Sequence, residues 1–167
     1  MKPDLYWIPG LEPGRLAIAA RPRGGDWLDD EARAWREAGV SVVVSLLESD
    51  EVEQLGLLRE NEAAEANGIR AISFPIVDRS VPVSTTEALI LLRQISESLA
   101  AGETVAVHCR QGIGRSGLVT AGVLITQGLS PEAAVDLVSS ARGLRVPETP
   151  EQLSWLQHLP AAQMAMA

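Results

Sequence analysis

The stretch TVAVHCRQGIGRSGLVT, residues 104–120, joins a short β-branched run, the single cysteine of the chain, two glycines one residue apart, and an arginine six positions after the cysteine. TVAVH has the length and continuous apolar character of a strand covered on both faces. From Arg115 onward, GLVTAGVLITQ is apolar on most sides of a helix, which predicts a central helix. A strand, a glycine turn and a helix start are the parts of an anion site, because successive backbone N–H groups can point into one concavity and the helix N-terminus adds positive charge. The same field favours the thiolate of Cys109, the form that attacks electrophiles. Gly112 and Gly114 let the turn adopt angles closed to other residues, and Arg115 can offer a planar fork to two phosphate oxygens. The bland alternative is a structural cysteine in a βα turn, which the full string with its arginine disfavours.

Outward from this stretch, the chain alternates short apolar runs with helical patterns. Asp29-Asp30 opens a helix that stops at Gly39, GVSVVVSLL is a strand buried on both faces, and ESDEVEQ reads as a polar, acidic loop. Leu57 to Asn67 is a second helix ended by Gly68, and IRAISFPI is a strand that Pro75 pushes to an edge or an end. VDRSVPV is a loop. Ser84 and Glu87 form a capping box for a helix with Ala88, Leu91, Leu92, Ile95 and Leu99 on one face. Ser130-Pro131 and Thr149-Pro150 each start another helix. The alternation predicts an α/β fold, a mostly parallel central sheet with helices on both faces.

The 167 residues fit one domain. We read residues 1–14 as an N-terminal extension or first strand region, 15–160 as the domain, and 161–167 as a frayed tail. With no long apolar run and no signal-like N-terminus, a cytoplasmic protein is expected, and a monomer. A net charge of −8 disfavours nucleic acid and anionic membrane as partners. Two distant histidines and one cysteine supply no zinc-spaced ligand set, so neither metal nor cofactor is expected.

HCRQGIGRSG resembles the phosphate-binding loop of the protein tyrosine phosphatase superfamily, in which a cysteine, five variable residues, an arginine and a serine or threonine follow one another. SLLE after a strand, SFPIVDRSVP, SPEAAVDLV and TPEQ extend the likeness, in this order, to the small dual-specificity phosphatases, especially the cyclin-dependent-kinase-associated type, over residues 15 to 158. The resemblance implies a cysteine phosphatase fold and hydrolysis of phosphorylated protein or peptide through a phosphocysteine. Cys109 would be the nucleophile, while Arg115 and the amides of Arg110, Gln111, Gly112, Ile113 and Gly114 hold the phosphoryl group.

Ser116 would hydrogen-bond the thiolate, or only cap the helix. Asp78 matches the acid loop as general acid, against an ordinary turn aspartate; Arg79 beside it would help keep it ionised. Gln152 would orient the hydrolytic water or simply complete a capping box. His108 is expected to buttress the loop. Glu48 or Glu51 could brace Arg115 or Arg110, although a solvated loop is the simpler reading. One base among the five variable residues, and the lack of pocket-deepening segments, lean towards phosphotyrosine with phosphoserine or phosphothreonine. A phosphate-binding module without turnover, a phosphatase for a small-molecule or lipid phosphate, and a Cdc25- or rhodanese-type fold are the rivals.

Overall fold

The computed structural model describes residues 2–159; the expected frayed tail lies outside the described residues. Its centre is β5 (Thr104–His108), every residue of which is buried. β5 pairs in parallel with β2 (Arg15–Ala19) on one side and with β3 (Val42–Ser45) on the other. β4 (Arg70–Ser73) continues the sheet in parallel beyond β3, and β1 (Leu5–Trp7) adds an antiparallel edge to β2, giving the order β1-β2-β5-β3-β4. The sheet is thus mostly parallel, as the alternation predicts, and the strand before Pro75 lies at an edge.

Side chains alternate between the faces with the two-residue period of a strand. Val42, Val44, Val105 and Val107 join Leu16 and Ile18 in the larger core, against α4 (Thr85–Ala100), α5 (Gly114–Thr126), α6 (Pro131–Arg142) and α7 (Pro150–Gln157). Val43, Ala106 and Ala19 face the other way, onto Trp35 of α1 (Leu28–Glu37) and Ala64 of a short helix, α3 (Glu60–Ala66). α5 is buried along its whole length, so its sequence carries no polar stripe. Side-chain caps from Ser84, Ser130 and Thr149 start α4, α6 and α7.

Two expectations need correction. ESDEVEQ is not a loop: Ser49–Gln54 forms helix α2, capped reciprocally by Glu48 and Glu51, so its carboxylates satisfy the orphan amides of a helix start. The second helix begins at Glu60 instead of Leu57, because Leu57 is pinned in the core with its N–H bonded to the Val52 carbonyl. The strands in the first nineteen residues lack the long β-branched run that marks β3 and β5. No helix among the described residues is long and apolar enough to cross a membrane.

Candidate active site

β5 delivers His108 and Cys109 to the carboxyl end of the sheet, and residues 110–113 turn directly into α5. Gly112 holds a φ of +71°, an angle that disfavours a side chain, and its N–H donates to Cys109 Sγ at 3.3 Å. The loop carbonyls are held from elsewhere. Arg21 Nη1 donates to the Arg110 carbonyl at 2.6 Å, Arg142 Nη2 to that of Gln111 at 3.3 Å, and Arg142 Nε to that of Gly112 at 2.8 Å. In a trans peptide the C=O and the next N–H point in opposite directions. Anchoring these three carbonyls therefore turns the amides of Gln111, Gly112 and Ile113 each away from the arginine that holds the carbonyl before it, and that of Gly112 reaches the thiol. Arg142 is itself seated over the Tyr6 ring, 4.2 Å from its centroid.

Arg115 closes the loop and is only 1% exposed. Its Nη1 donates to Glu51 Oε1 at 2.6 Å and to the Ile76 carbonyl at 2.9 Å, and its Nη2 meets Glu51 Oε2 at 2.9 Å and Asp78 Oδ1 at 3.2 Å. Those hydrogen bonds hold the Glu51 carboxyl below its ordinary value, against burial, which works the other way. Burial acts to lower the Arg115 value, yet Glu51, Cys109 and Asp78 together leave it raised, so the guanidinium stays cationic. Arg115 Nε and Ser116 Oγ are the two buried side-chain polar atoms without a hydrogen-bond partner among the described residues. Such groups are costly unless something completes them, and here both lie in the residues that close the phosphate loop.

Of the two acids considered as braces, Glu51 grips Arg115 and is buried, which overturns the solvated-loop reading for it; Glu48 serves the cap of α2. His108 is fully buried, with Nε2 2.6 Å from Glu60 Oε2, Nδ1 3.3 Å from the Cys109 carbonyl, and its ring near Trp35. Ser116 lies in the first turn of α5, whose N-cap residue is Ile113, and its hydroxyl caps nothing.

Asp78 stands on an exposed loop after β4. Arg79, at φ +63°, turns from it to Glu148, 2.9 Å away, so the charge beside Asp78 is that of Arg115 and not of Arg79. Gln152 is fully buried and fully engaged. Its Oε1 accepts the N–H groups of Glu148 and Thr149, and its Nε2 donates to the Ser80 carbonyl at 3.0 Å, latching the acid loop to α7. Arg21, Arg142 and Glu60 escaped the sequence reading, because nothing local marks them; Glu60 meets His108 from 48 positions away. Among the described residues no group of three or more His, Cys, Asp and Glu side chains is placed to hold a metal ion.

Fold and site together define an α/β protein with a thiol at the floor of an amide-lined loop closed by a braced arginine. Residues 17–129 match the family model described as "Polymorphic toxin system, DSP-PTPase phosphatase". The chain therefore belongs to the dual-specificity phosphatase family of the protein tyrosine phosphatase superfamily. A structure titled as Tk-PTP in the active form is similar at 32% identity, with 94% of this chain and 98% of that one covered and a TM-score of 0.73. Kinase associated phosphatase shares the fold at a TM-score of 0.85 and 18% identity, over 100% of this chain and 98% of its own. Protein 197R of Invertebrate iridescent virus 6, named as a tyrosine phosphatase, is 27% identical over 95% of this chain. The chain spans 57% of that curated relative's length, and 30% of that of a second such protein, 067L of Invertebrate iridescent virus 3.

Proposed function

We propose that the chain is a cysteine-dependent phosphatase that hydrolyses phosphotyrosine, and phosphoserine or phosphothreonine, in proteins or peptides. The observation that carries this reading is the orphaned, buried Nε of Arg115 in the loop that also holds Cys109, where an oxyanion would complete it. In the first step Cys109 Sγ attacks phosphorus and the ester P–O bond breaks. Arg115 and the amides of residues 110–115 hold the phosphoryl oxygens, and Asp78 gives its proton to the leaving oxygen. In the second, water attacks the phosphocysteine and gives a proton to the Asp78 carboxylate, the P–S bond breaks, inorganic phosphate leaves, and the Ser116 hydroxyl donates to the departing thiolate. Gln152 supports the acid loop, since every one of its polar atoms is committed to that task or to the helix cap. The need to keep a lone thiol reduced supports a cytoplasmic setting.

The test is hydrolysis of an aryl phosphate and of phosphotyrosine and phosphothreonine peptides, by the unmodified protein and by Cys109→Ser. Turnover that Cys109→Ser abolishes, with phosphopeptide binding retained, is the expected result. Binding without turnover in the unmodified protein would mark a phosphate-binding module instead.

A further inference from the structure

Beside the phosphate loop lies a groove of about 510 Å³, walled by Arg21, Arg23 and Arg110 together with Gln111 of the loop and Leu55. No carboxylate lines it, whereas four other surface grooves each include at least one aspartate or glutamate. In a chain of net charge −8 this is a local reversal of sign, at the mouth of the site that binds an anion.

The three arginines differ in what they have left to give. Arg23 is bound to Glu31 and stacked on Trp27, so it shapes the groove more than it donates. Arg21 is exposed, and its Nη1 rests on the carbonyl of Arg110, which places the guanidinium on the backbone of the residue next to the nucleophile. Arg110 is half exposed; its nearest carboxylate, Glu51 at 4.0 Å, is already spent in the bidentate pair with Arg115. The segment of residues 78–80 and the start of α7 carry the opposite character, with Asp78, with Glu148 paired to Arg79, and with Glu151 accepting from the Ser80 hydroxyl. A substrate with one phosphate gains nothing from this asymmetry, but one with two anionic groups is oriented by it.

We propose that the Arg21–Arg110 groove is a subsite for a second oxyanion carried by the same phosphopeptide, either another phosphoryl group or an acidic side chain close to the scissile ester. The proposal rests on the phosphatase reading above. It makes Arg21 and Arg110 specificity-determining residues, with Arg21 supplying a fork held in place before substrate arrives.

The experiment compares three phosphotyrosine peptides of equal length, one with neutral flanks, one with a neighbouring glutamate and one with a neighbouring phosphothreonine. For each, kcat/KM is divided by that for a simple aryl phosphate, which cancels whatever a substitution does to the loop. One charge-assisted contact predicts roughly a tenfold preference for the second oxyanion. That preference should shrink with added salt, collapse in Arg21→Ala and return in part in Arg21→Lys. Affinities of the three peptides for Cys109→Ser, read by fluorescence anisotropy, test the subsite without turnover. If the unmodified protein hydrolyses nothing while Cys109→Ser still favours the doubly charged peptides, the phosphatase reading fails and the subsite stands. Equal handling of all three peptides, or a preference that survives Arg21→Ala, overturns the subsite.

Discussion

Arg115 and Glu51 meet in a two-pronged ion pair, Nη1 to Oε1 at 2.6 Å and Nη2 to Oε2 at 2.9 Å, with 1% and 9% of their side chains exposed. Helix α2 exists where the pair needs a carboxylate, and its capping box fixes the same Glu51 side chain from behind by the Glu48 N–H. Removing one partner strands a buried charge. Glu51→Gln should therefore destabilise the fold by about 3–5 kcal/mol and lower kcat/KM, as measured by urea denaturation and aryl phosphate hydrolysis. An unfolding midpoint equal to that of the unmodified protein would refute the role.

The same pair sets a pH dependence. Arg115 holds the Glu51 carboxyl below its unfolded value, so the stabilisation is present at neutral pH and is lost as pH falls through the folded value. The unmodified protein should lose stability on acidification more steeply than Glu51→Gln does. Parallel stability–pH curves would count against it.

Asp78 lies on an exposed loop, 3.2 Å from the arginine that closes the phosphate loop. Asp78→Asn should cost roughly 10²–10⁴ in kcat for an alkyl phosphate, which needs a proton on its leaving oxygen, and far less for a nitrophenyl ester. Equal losses on both esters would remove it from the role of acid.

Gln152 separates cap from latch. Gln152→Glu keeps the acceptor that serves the N–H groups of Glu148 and Thr149, but loses the donor to the Ser80 carbonyl. Because the new carboxylate oxygen faces the Ser80 carbonyl in a fully buried site, stability should fall, and kcat should fall with it through a loosened acid loop. A lowered melting temperature beside reduced turnover is the expected result, and unchanged turnover would argue that the latch is idle.

Glu60 and His108 form a buried pair directly behind the nucleophile. Glu60→Ala leaves the ring without its partner and should destabilise by about 1–3 kcal/mol, with Glu60→Gln recovering part of that. Denaturation of the three proteins side by side decides it: a ranking in which alanine equals the native residue would leave the pair no structural weight.

Gly117 tests packing alone. A Cβ there would lie 2.7 Å from the Cβ of Val146, which ties α5 to the segment before α7. Gly117→Ala should cost about 1–3 kcal/mol and the added Val146→Gly, which removes the opposing Cβ, should return some of it, as read from a double-mutant cycle. Simple additivity would show the contact to be absent.

What was legible in the sequence follows the range of the forces involved. The β-branched runs of β3 and β5, the caps at Ser84, Ser130 and Thr149, and the apolar girth of α5 are local signals, and they are enough to state an α/β sheet. The acidic segment at residues 49–54 misled, because its carboxylates find their roles as caps and as a partner for Arg115 only once β3 and β5 lie side by side. Arg79 misled for a related reason: nearness in sequence to Asp78 counted for less than the reach to Glu148 across 69 positions.

Local pattern was enough for the strand, turn and helix that carry Cys109 and Arg115, since glycines, an arginine at fixed spacing and two apolar periodicities act within a few residues of one another. What holds that loop in place is set by contacts distant in sequence. The carbonyl anchors Arg21 and Arg142, the brace Glu51 and the buttress Glu60 come from separate elements, and their charges are partnered only where the folded sheet brings them within hydrogen-bond distance.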